Sequence, residues 1–293
     1  MEGRKIGVYY YPWFKLGYGT PASHWSHDMV NMVRHKPTLG YYDSGSDTVI
    51  AQHMAWIRDT GGMDFVIVSW WPAESYITSN ADKVVTKIKS MTGLQVCILL
   101  EGYAGGDTAQ WQEAADHVYN NWVIDNSKYF NYEDHPAFTE KPLLLIYPTD
   151  QVKGSFTDAR FVVRWLLSQP YASQNTEGVW AYDGEPGMYG GLWEKTNGAG
   201  ITMNVTEQCP ILPGRSDLPC VRYGKFWYAS FLPRNVYVFE DMWKKAMGYP
   251  VDIITVTSFN EWHEETCLEP CEAWGTEYLS VIRRMGGICA EIT

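Results

Sequence analysis

The chain has 293 residues, 45% of them hydrophobic, and its formal net charge is −11 with no run of lysine or arginine. Such a chain buries a full core, whereas nucleic acid is a poor candidate partner because phosphates require clustered positive charge. No apolar stretch approaches the roughly 20 residues of a membrane span, so no span is expected.

Short apolar runs of strand length alternate along the chain with longer amphipathic stretches. This alternation is typical of a parallel sheet whose strands are connected by helices. In chain order, the predicted strands are Ile6–Tyr11, Phe65–Trp70, Gln95–Glu101, Pro142–Tyr147, Gly178–Tyr182, Ile201–Val205 and Ile253–Thr257. The predicted helices are Val49–Thr60, Asp82–Met91, Ala109–Trp122, Asp158–Leu167, Arg234–Met247 and Thr276–Met285. An eighth strand is expected between Phe161 and Gly200.

The number of strands and the chain length together predict an α/β fold, a single (β/α)8 TIM barrel that spans residues 1–293 as one domain. An open, doubly wound sheet is the alternative. It is less favoured because the first strand leads into Trp13-Phe14-Lys15, and no glycine-rich nucleotide-binding turn is present. In a barrel, functional residues lie at the carboxyl ends of the strands, where the βα loops begin.

Aromatic residues make up 15% of the chain, including 14 Trp and 20 Tyr. They either fill a large core or line a cleft, and their frequent position beside polar residues and turns favours a cleft for some of them. Stacking rings and carboxylates are what a site for a neutral polyol requires. The residues at the predicted strand ends are nearly all of these two kinds: Tyr11, Trp13, Trp70, Trp71, Glu101, Tyr103, Tyr147, Tyr182, Asp183 and Glu185.

A pair of glutamates, Glu261 and Glu264, follows the last predicted strand. If Asn260 begins a helical turn, the two lie on one face with Cβ atoms about 5–6 Å apart. Carboxylates that close do not ionise independently, so one of them can serve as an acid near neutral pH. Glycoside hydrolases use such a pair, and a short separation goes with retention of configuration. The spacing alone also fits two solvated glutamates on a loop.

A metal site is the competing interpretation of this region. His263, Cys267 and Cys271 are four residues apart, which would align them on one helix. Pro270 argues against an uninterrupted helix, and neither a C-x-x-C nor an H-E-x-x-H pattern is present. No G-x-S-x-G nucleophile elbow is present either. We therefore expect neither a metal nor another cofactor.

The compartment and the thiol chemistry stay open. The N-terminal segment is too short and too aromatic for a signal peptide, so the protein is expected to be cytoplasmic, or secreted with its signal removed. Cys209/Cys220 and Cys267/Cys271 are candidate disulfide pairs, but six cysteines allow 15 connectivities. A monomer is expected.

One segment resembles a family signature. Ser258-Phe259-Asn260-Glu261-Trp262-His263-Glu264 is similar to the signature of glycoside hydrolase family 99, the endo-α-1,2-mannosidases and endo-α-1,2-mannanases. Further similarities to the family follow in order along nearly the whole chain: Tyr9–Phe14, His24–His27, His53–Met54, Val68–Pro72, Glu101–Tyr103, Leu144–Tyr147 and Val221–Trp227.

The resemblance implies a barrel enzyme that retains anomeric configuration, needs no metal and acts on an oligosaccharide or polysaccharide. It implies that Glu261 is the base on the substrate 2-hydroxyl and that Glu264 is the general acid/base. It also implies that Trp70 stacks on a sugar and that Glu101, Tyr103 and Tyr182 bind hydroxyls. The other substrate-binding residues expected are Tyr11, Trp13, His24, Trp25, Tyr147, Asn260 and His263.

The sequence also departs from the family pattern. A glycine usually follows the second catalytic glutamate, where this chain has Glu265, and the family's long substrate loop is only faintly visible in Ile211–Asp217. These changes affect the rim of the site and leave the glutamate pair intact. Two alternatives therefore stay open: a related hydrolase with another polysaccharide linkage, and a non-catalytic carbohydrate-binding barrel.

Overall fold

A computed structural model describes residues 4–16, 24–25, 35–103, 107–134, 139–167, 178–181, 190–196, 202–216, 231–232, 234–249 and 251–291. Its strands are β1 Lys5–Tyr10, β2 Lys15–Leu16, β3 His24–Trp25, β4 Phe65–Trp70, β5 Gln95–Glu101, β6 Asn131–Asp134, β7 Thr139–Tyr147, β8 Val162–Leu167, β9 Val179–Ala181, β10 Gly190–Thr196, β11 Thr202–Ile211, β12 Arg215–Ser216, β13 Phe231–Leu232 and β14 Val251–Val256.

The described helices connect and cover these strands. They are α1 Asp47–Asp59, α2 Ser75–Lys89, α3 Thr108–Val118, α4 Val236–Gly248 and α5 Glu277–Glu291. A π-helical turn, Tyr119–Val123, continues α3. Each helix buries one apolar face against the sheet, as the spacing of Ile50, Met54 and Ile57 in α1 illustrates.

Eight strands form the wall of a nearly closed parallel barrel. Their order is β11, β14, β1, β4, β5, β7, β8 and β9, and each strand is parallel to its neighbours in this order. Trp180 joins the two end strands, because its Nε1 on β9 donates to Glu207 on β11 at 2.8 Å. Arg164 on the adjacent strand β8 donates to both oxygens of Glu207 at 2.7 Å. The predicted (β/α)8 barrel is confirmed.

The predicted helix Asp158–Leu167 is wrong. Most of that range is strand β8, which pairs with β7 from Leu143↔Val162 to Ile146↔Trp165. Arg164 gives the apolar run an amphipathic appearance, yet its guanidinium is buried inside the fold on Glu207, 43 residues later. This strand is the eighth one that was expected between Phe161 and Gly200.

Two further expectations concern thiols and membranes. Cys267 and Cys271 are both free thiols, so the candidate disulfide between them is excluded, while Cys220 lies outside the described residues. Within the described part of the chain, no helix has the length and apolar character needed to cross a membrane.

Candidate active site

The carboxyl ends of the barrel strands surround an open cavity of about 350 Å³, its mouth included. Glu101 and Tyr147 lie side by side there because β5 and β7 pair in that register. Leu99 shares the face of Glu101, since side chains two residues apart on a strand point the same way. The full lining is Tyr11, Trp13, Leu99, Glu101, Tyr147, Glu261 and Glu264.

Glu261 is held in a fixed orientation at the wall of this cavity. Its backbone N–H donates to the Ser258 hydroxyl at 2.8 Å, and its Oε1 accepts the backbone N–H of His263 at 2.9 Å. The His263 ring nitrogen Nδ1 lies 3.3 Å from the same oxygen. Only 4% of Glu261 is exposed, so this carboxylate is buried, oriented and still in contact with the cavity.

Glu264 lines the same cavity from a more open position. Its side chain is 19% exposed, and its Oε2 lies 3.7 Å from Nη2 of Arg215. Arg215 belongs to β12, which follows β11 after a short connection. The guanidinium therefore offsets part of the negative charge that ionised carboxylates bring to the cavity.

Glu101, the third carboxyl group, is 6% exposed at the end of β5. Burial, together with the negative charge of Glu261, raises the pKa of Glu101 from its ordinary value to about 8. Water stabilises a carboxylate far better than a protein interior does, so a buried carboxyl without a cation keeps its proton. At neutral pH, Glu101 therefore enters the cavity mainly as a hydrogen-bond donor.

An aromatic wall faces the carboxyl groups. The rings of Tyr11 and Trp13 stack with centroids 4.5 Å apart, and Trp71 lies 6.3 Å from Trp13. Gly102 supports this wall: its φ is +95°, and a Cβ there would lie 3.0 Å from Cε3 of Trp71. A residue with a side chain would be strained at this position, so glycine keeps Trp71 close to the end of β5.

The segment that carries both glutamates is tied to the first strand. Tyr11 donates its backbone N–H to Asn260 Oδ1 at 2.8 Å, and Asn260 Nδ2 donates to the Tyr11 carbonyl at 2.9 Å. Phe259 donates to the Tyr9 carbonyl at 2.7 Å, which continues the pairing of β1 with β14. Asn260 thus acts in place of a strand residue, and its predicted contact with substrate is replaced by a contact with backbone.

Glu265, which stands where the resemblance predicts a glycine, has a backbone conformation that favours glycine. Its φ is +51°, in the left-handed region that favours glycine. Arg234 holds this turn by donating to the carbonyls of Glu265 and Cys267, the second at 2.6 Å. The backbone after Glu264 therefore has the conformation of a glycine turn, although a glutamate occupies it.

Trp70 does not line the cavity. It is 2% exposed, its ring stacks on His117 with centroids 4.8 Å apart, and its Nε1 donates to Thr78 at 2.9 Å. Successive side chains of a strand point to opposite faces, so Trp70 faces the helices while Ser69 faces inward. The predicted role of Trp70 as a sugar platform does not fit this position, and Trp71 is the tryptophan that reaches the aromatic wall.

Other predicted binding residues also lie away from the cavity or outside the described part. Trp25 is fully buried against Phe14, with ring centroids 4.5 Å apart. Tyr103 is half-buried and packs edge-on against Trp111 at 5.0 Å. The side chain of His24 and the whole of Tyr182 lie outside the described residues.

Two lining or neighbouring residues were missing from the predicted site. Leu99 was recognisable from its spacing of two residues before Glu101 on a predicted strand. Arg215 follows the end of β11 by four residues, a position at which a charged side chain reaches the rim of a barrel. Among the described residues, no group of three or more His, Cys, Asp or Glu side chains is arranged to hold a metal ion.

Comparison with known proteins bears on this site. The chain is 24% identical over 317 residues to the glycoprotein endo-alpha-1,2-mannosidase-like protein of Danio rerio, covering 90% of this chain and 70% of that protein. It is 23% identical to the glycoprotein endo-alpha-1,2-mannosidase of Rattus norvegicus, covering 98% and 73%. The chain is thus similar to glycoprotein endo-alpha-1,2-mannosidases along nearly its whole length. No family model matches it.

The barrel itself has close structural counterparts. The GH99 endo-alpha-mannosidase of Bacteroides thetaiotaomicron superposes with a TM-score of 0.72 at 17% identity, covering 98% of this chain and 97% of that one. A structure described as a glycoside hydrolase-like protein superposes with a TM-score of 0.64 at 11% identity, covering 97% and 94%. These matches confirm the fold that the sequence predicts.

Proposed function

We propose that this chain is a retaining, endo-acting glycoside hydrolase that cleaves α-1,2-mannosidic linkages. The observation that carries the proposal is that Glu261 and Glu264 line one cavity at the carboxyl ends of the strands. The enzyme class is supported by the names of the relatives, which are endo-alpha-1,2-mannosidases and proteins like them. A binding barrel would have no need for two carboxylates at this position.

In the proposed mechanism, the substrate supplies its own nucleophile. In an α-mannoside the 2-oxygen and the leaving group are both axial and lie on opposite faces of the ring. Glu261 removes the proton of the 2-hydroxyl, and the resulting oxyanion attacks C1 from the rear. Glu264 donates its proton to the glycosidic oxygen as the C1–O bond breaks. The products of this step are the shortened glycan and a 1,2-anhydro sugar.

Water completes the reaction with the two glutamates exchanging roles. Glu264, now ionised, takes a proton from water, which attacks C1 and opens the 1,2-anhydro ring. Glu261 returns its proton to the 2-oxygen. Two inversions at C1 give net retention. The fixed orientation of Glu261 on His263 and Ser258 supports its role as a base, because a proton-transfer group needs a defined position.

The rest of the cavity supports sugar binding. Tyr11 and Trp13 offer stacked ring faces to the apolar side of a pyranose. The Glu101 carboxyl, raised in pKa to about 8, can donate a hydrogen bond to a sugar oxygen without adding negative charge beside Glu261. Arg215 lies beside Glu264, 3.7 Å from its Oε2.

Product analysis tests the proposed function. The protein is incubated with α-1,2-linked mannan and with a panel of other α-glycans, and the released fragments are sized by mass spectrometry. Internal cleavage of the α-1,2-linked substrate, with the other glycans left intact, is the expected result. Cleavage of a different linkage would contradict the assigned substrate and leave the glycoside hydrolase class in place. Binding of the mannan with no cleavage would identify a carbohydrate-binding barrel.

A further inference from the structure

A fully buried carboxylate, that of Glu269, lies beneath the segment that carries Glu261 and Glu264. Its Oε2 accepts the Tyr42 hydroxyl at 2.7 Å and Nε1 of Trp262 at 2.8 Å. Its Oε1 lies 3.2 Å from Nε2 of His53. Three donors from three different parts of the chain therefore converge on one carboxylate that neither solvent nor the cavity reaches.

A second layer of the network orients these donors. Nδ1 of His53 lies 3.0 Å from the Tyr10 hydroxyl, so a His53 ring protonated on Nε2 donates to Glu269 and accepts from Tyr10. Burial and the charge of Glu269 both raise the pKa of Tyr10 and of Tyr42, which keeps both hydroxyls protonated as donors. Each polar atom that faces Glu269 thus has a defined hydrogen-bonding role.

The network ends on the residues that flank Glu261. Trp262 donates directly to Glu269 and stacks on Trp274, with ring centroids 6.0 Å apart and planes 16° apart. On the other side, Asn260 Nδ2 lies 3.4 Å from the Tyr42 hydroxyl, which itself donates to Glu269. The backbone of Glu261 is therefore anchored through both neighbours to the same buried carboxylate.

Stability alone does not explain this arrangement. Burying a carboxylate carries a large desolvation cost, and well-packed apolar side chains of similar volume are often as stable or more stable. What a satisfied polar network provides in addition is a unique geometry, since each donor fits only one position. A site that must hold two carboxylates in register benefits from such a geometry.

We propose that Glu269 is a positioning residue that sets the orientation of the Glu261–Glu264 pair through Trp262 on one side and through Tyr42 and Asn260 on the other. This inference rests on the proposed glycosidase function for its effect on rate. Its effect on the structure of the segment is independent of any substrate. His53 on α1 and Tyr10 on β1 complete the same hydrogen-bond network.

Trp262→Phe tests the direct link, because it removes the Nε1 donor and keeps an aromatic ring against Trp274. Trp243→Phe is the matched control: Trp243 is fully buried on α4, and its Nε1 has no hydrogen-bond partner among the described residues. Both variants lose the same atoms from a buried tryptophan. Only the first loses a bond to Glu269.

Tyr42→Phe tests the second link and serves if Trp262→Phe folds poorly. Its control is Tyr129→Phe, which also removes a buried hydroxyl with hydrogen bonds, in that case to the Leu143 carbonyl at 2.9 Å and from the Ile98 amide at 3.3 Å. Tyr129 lies beside the start of β5, far along the strand from Glu101.

Three measurements are made on the wild type and all four variants: melting temperature, amide hydrogen exchange of segment 258–266, and kcat and KM on an α-1,2-linked manno-oligosaccharide. For Trp262→Phe and Tyr42→Phe we expect faster exchange in that segment and a kcat lower by roughly 10- to 100-fold with KM nearly unchanged. Each control variant should match the wild type in exchange and kcat, whatever melting temperature it loses through the change in packing.

Two results would overturn the inference. One is exchange in segment 258–266 that stays at the wild-type rate in both test variants. The other is a fall in kcat that the control variants share at equal loss of melting temperature. If the wild type cleaves no α-mannoside, the proposed function fails by itself, and the exchange measurement still decides whether Glu269 orders the segment.

Discussion

Glu101 and Glu261 face the same cavity, and the negative charge of Glu261 adds to the burial that raises the pKa of Glu101 to about 8. The unfolded chain releases the Glu101 proton near the ordinary value of 4.5, whereas the folded protein keeps it until about pH 8. Between these values the folded state binds the additional proton, so the free energy of unfolding falls as pH rises. Below pH 4.5 this contribution is fully present.

Glu101→Gln isolates this effect, because glutamine has the shape of a protonated glutamate and does not titrate. We expect the stability of the wild type, relative to the variant, to fall by about 2–4 kcal/mol between pH 5 and pH 8, since each pKa unit corresponds to about 1.4 kcal/mol. Urea unfolding of both proteins at several pH values measures it. Parallel stability curves for the two proteins would show that Glu101 ionises normally.

Trp70 and Trp71 should respond in opposite ways to substitution by alanine. Trp70→Ala removes a buried ring from between the strand and α3, so we expect a loss of roughly 3–5 kcal/mol in stability and little specific effect on ligand binding. Trp71→Ala should cost less stability and weaken oligosaccharide binding, because Trp71 supports Trp13. Thermal melts and calorimetric titrations of both variants decide this. Stronger weakening of binding in Trp70→Ala would restore the sugar-platform role.

Gly102→Ala should destabilise the protein by roughly 1–3 kcal/mol, because an alanine is strained at a φ of +95° and its Cβ meets Trp71. Gly93→Ala is a suitable control, since Gly93 also has a positive φ (+76°) but nothing lies within 4 Å of its Cβ position. The difference in melting temperature between the two variants isolates the contact with Trp71. Equal losses would mean that the contact adds nothing.

The substrate 2-hydroxyl should be essential if Glu261 acts as the base for internal attack. A substrate whose reacting sugar carries a 2-O-methyl or 2-deoxy group should bind and not turn over. If Glu261 attacked C1 directly, a 2-deoxy-2-fluoro substrate would leave a covalent adduct on Glu261. Intact-mass spectrometry distinguishes the two, and a persistent adduct would rule out the internal attack.

Much of the barrel was predictable because its strands are apolar runs of the right length, and Phe65–Trp70 and Gln95–Glu101 were predicted with their observed bounds. Strand β8 was mistaken for a helix because the partner of Arg164, Glu207, is 43 residues away and invisible to a local pattern. Whether such a segment forms a strand or a helix depends on its long-range pairing, and local propensity does not determine it.

Cavity residues were predictable where a carboxyl or aromatic residue stands at the end of a predicted strand or directly after it, as for Glu101, Tyr147 and the glutamate pair. The predicted role of Trp70 failed for a different reason. The end of a strand lies at the rim of the barrel, but its position along the strand does not determine whether a side chain points into the barrel or towards the helices. The network around Glu269 joins residues far apart in the chain, such as Tyr42 and Glu269 at a separation of 227 positions, so only the folded structure reveals it.

Proton donation by Glu264 is the step most open to direct test. Glu264→Gln keeps the size of the side chain and removes the transferable proton, so turnover should fall by roughly 10²–10⁴-fold or more while the melting temperature stays nearly unchanged. A slow variant alone would still leave the stereochemical course of cleavage unknown.

Proton NMR of α-1,2-linked mannan during cleavage tests the account most directly, with the wild type and Glu264→Gln followed side by side. We expect the wild type to release internal fragments whose new reducing end appears first as the α-anomer, before mutarotation, and Glu264→Gln to release almost none in the same time. First appearance of the β-anomer, or equal rates for the two proteins, would contradict a retaining mechanism carried by Glu261 and Glu264.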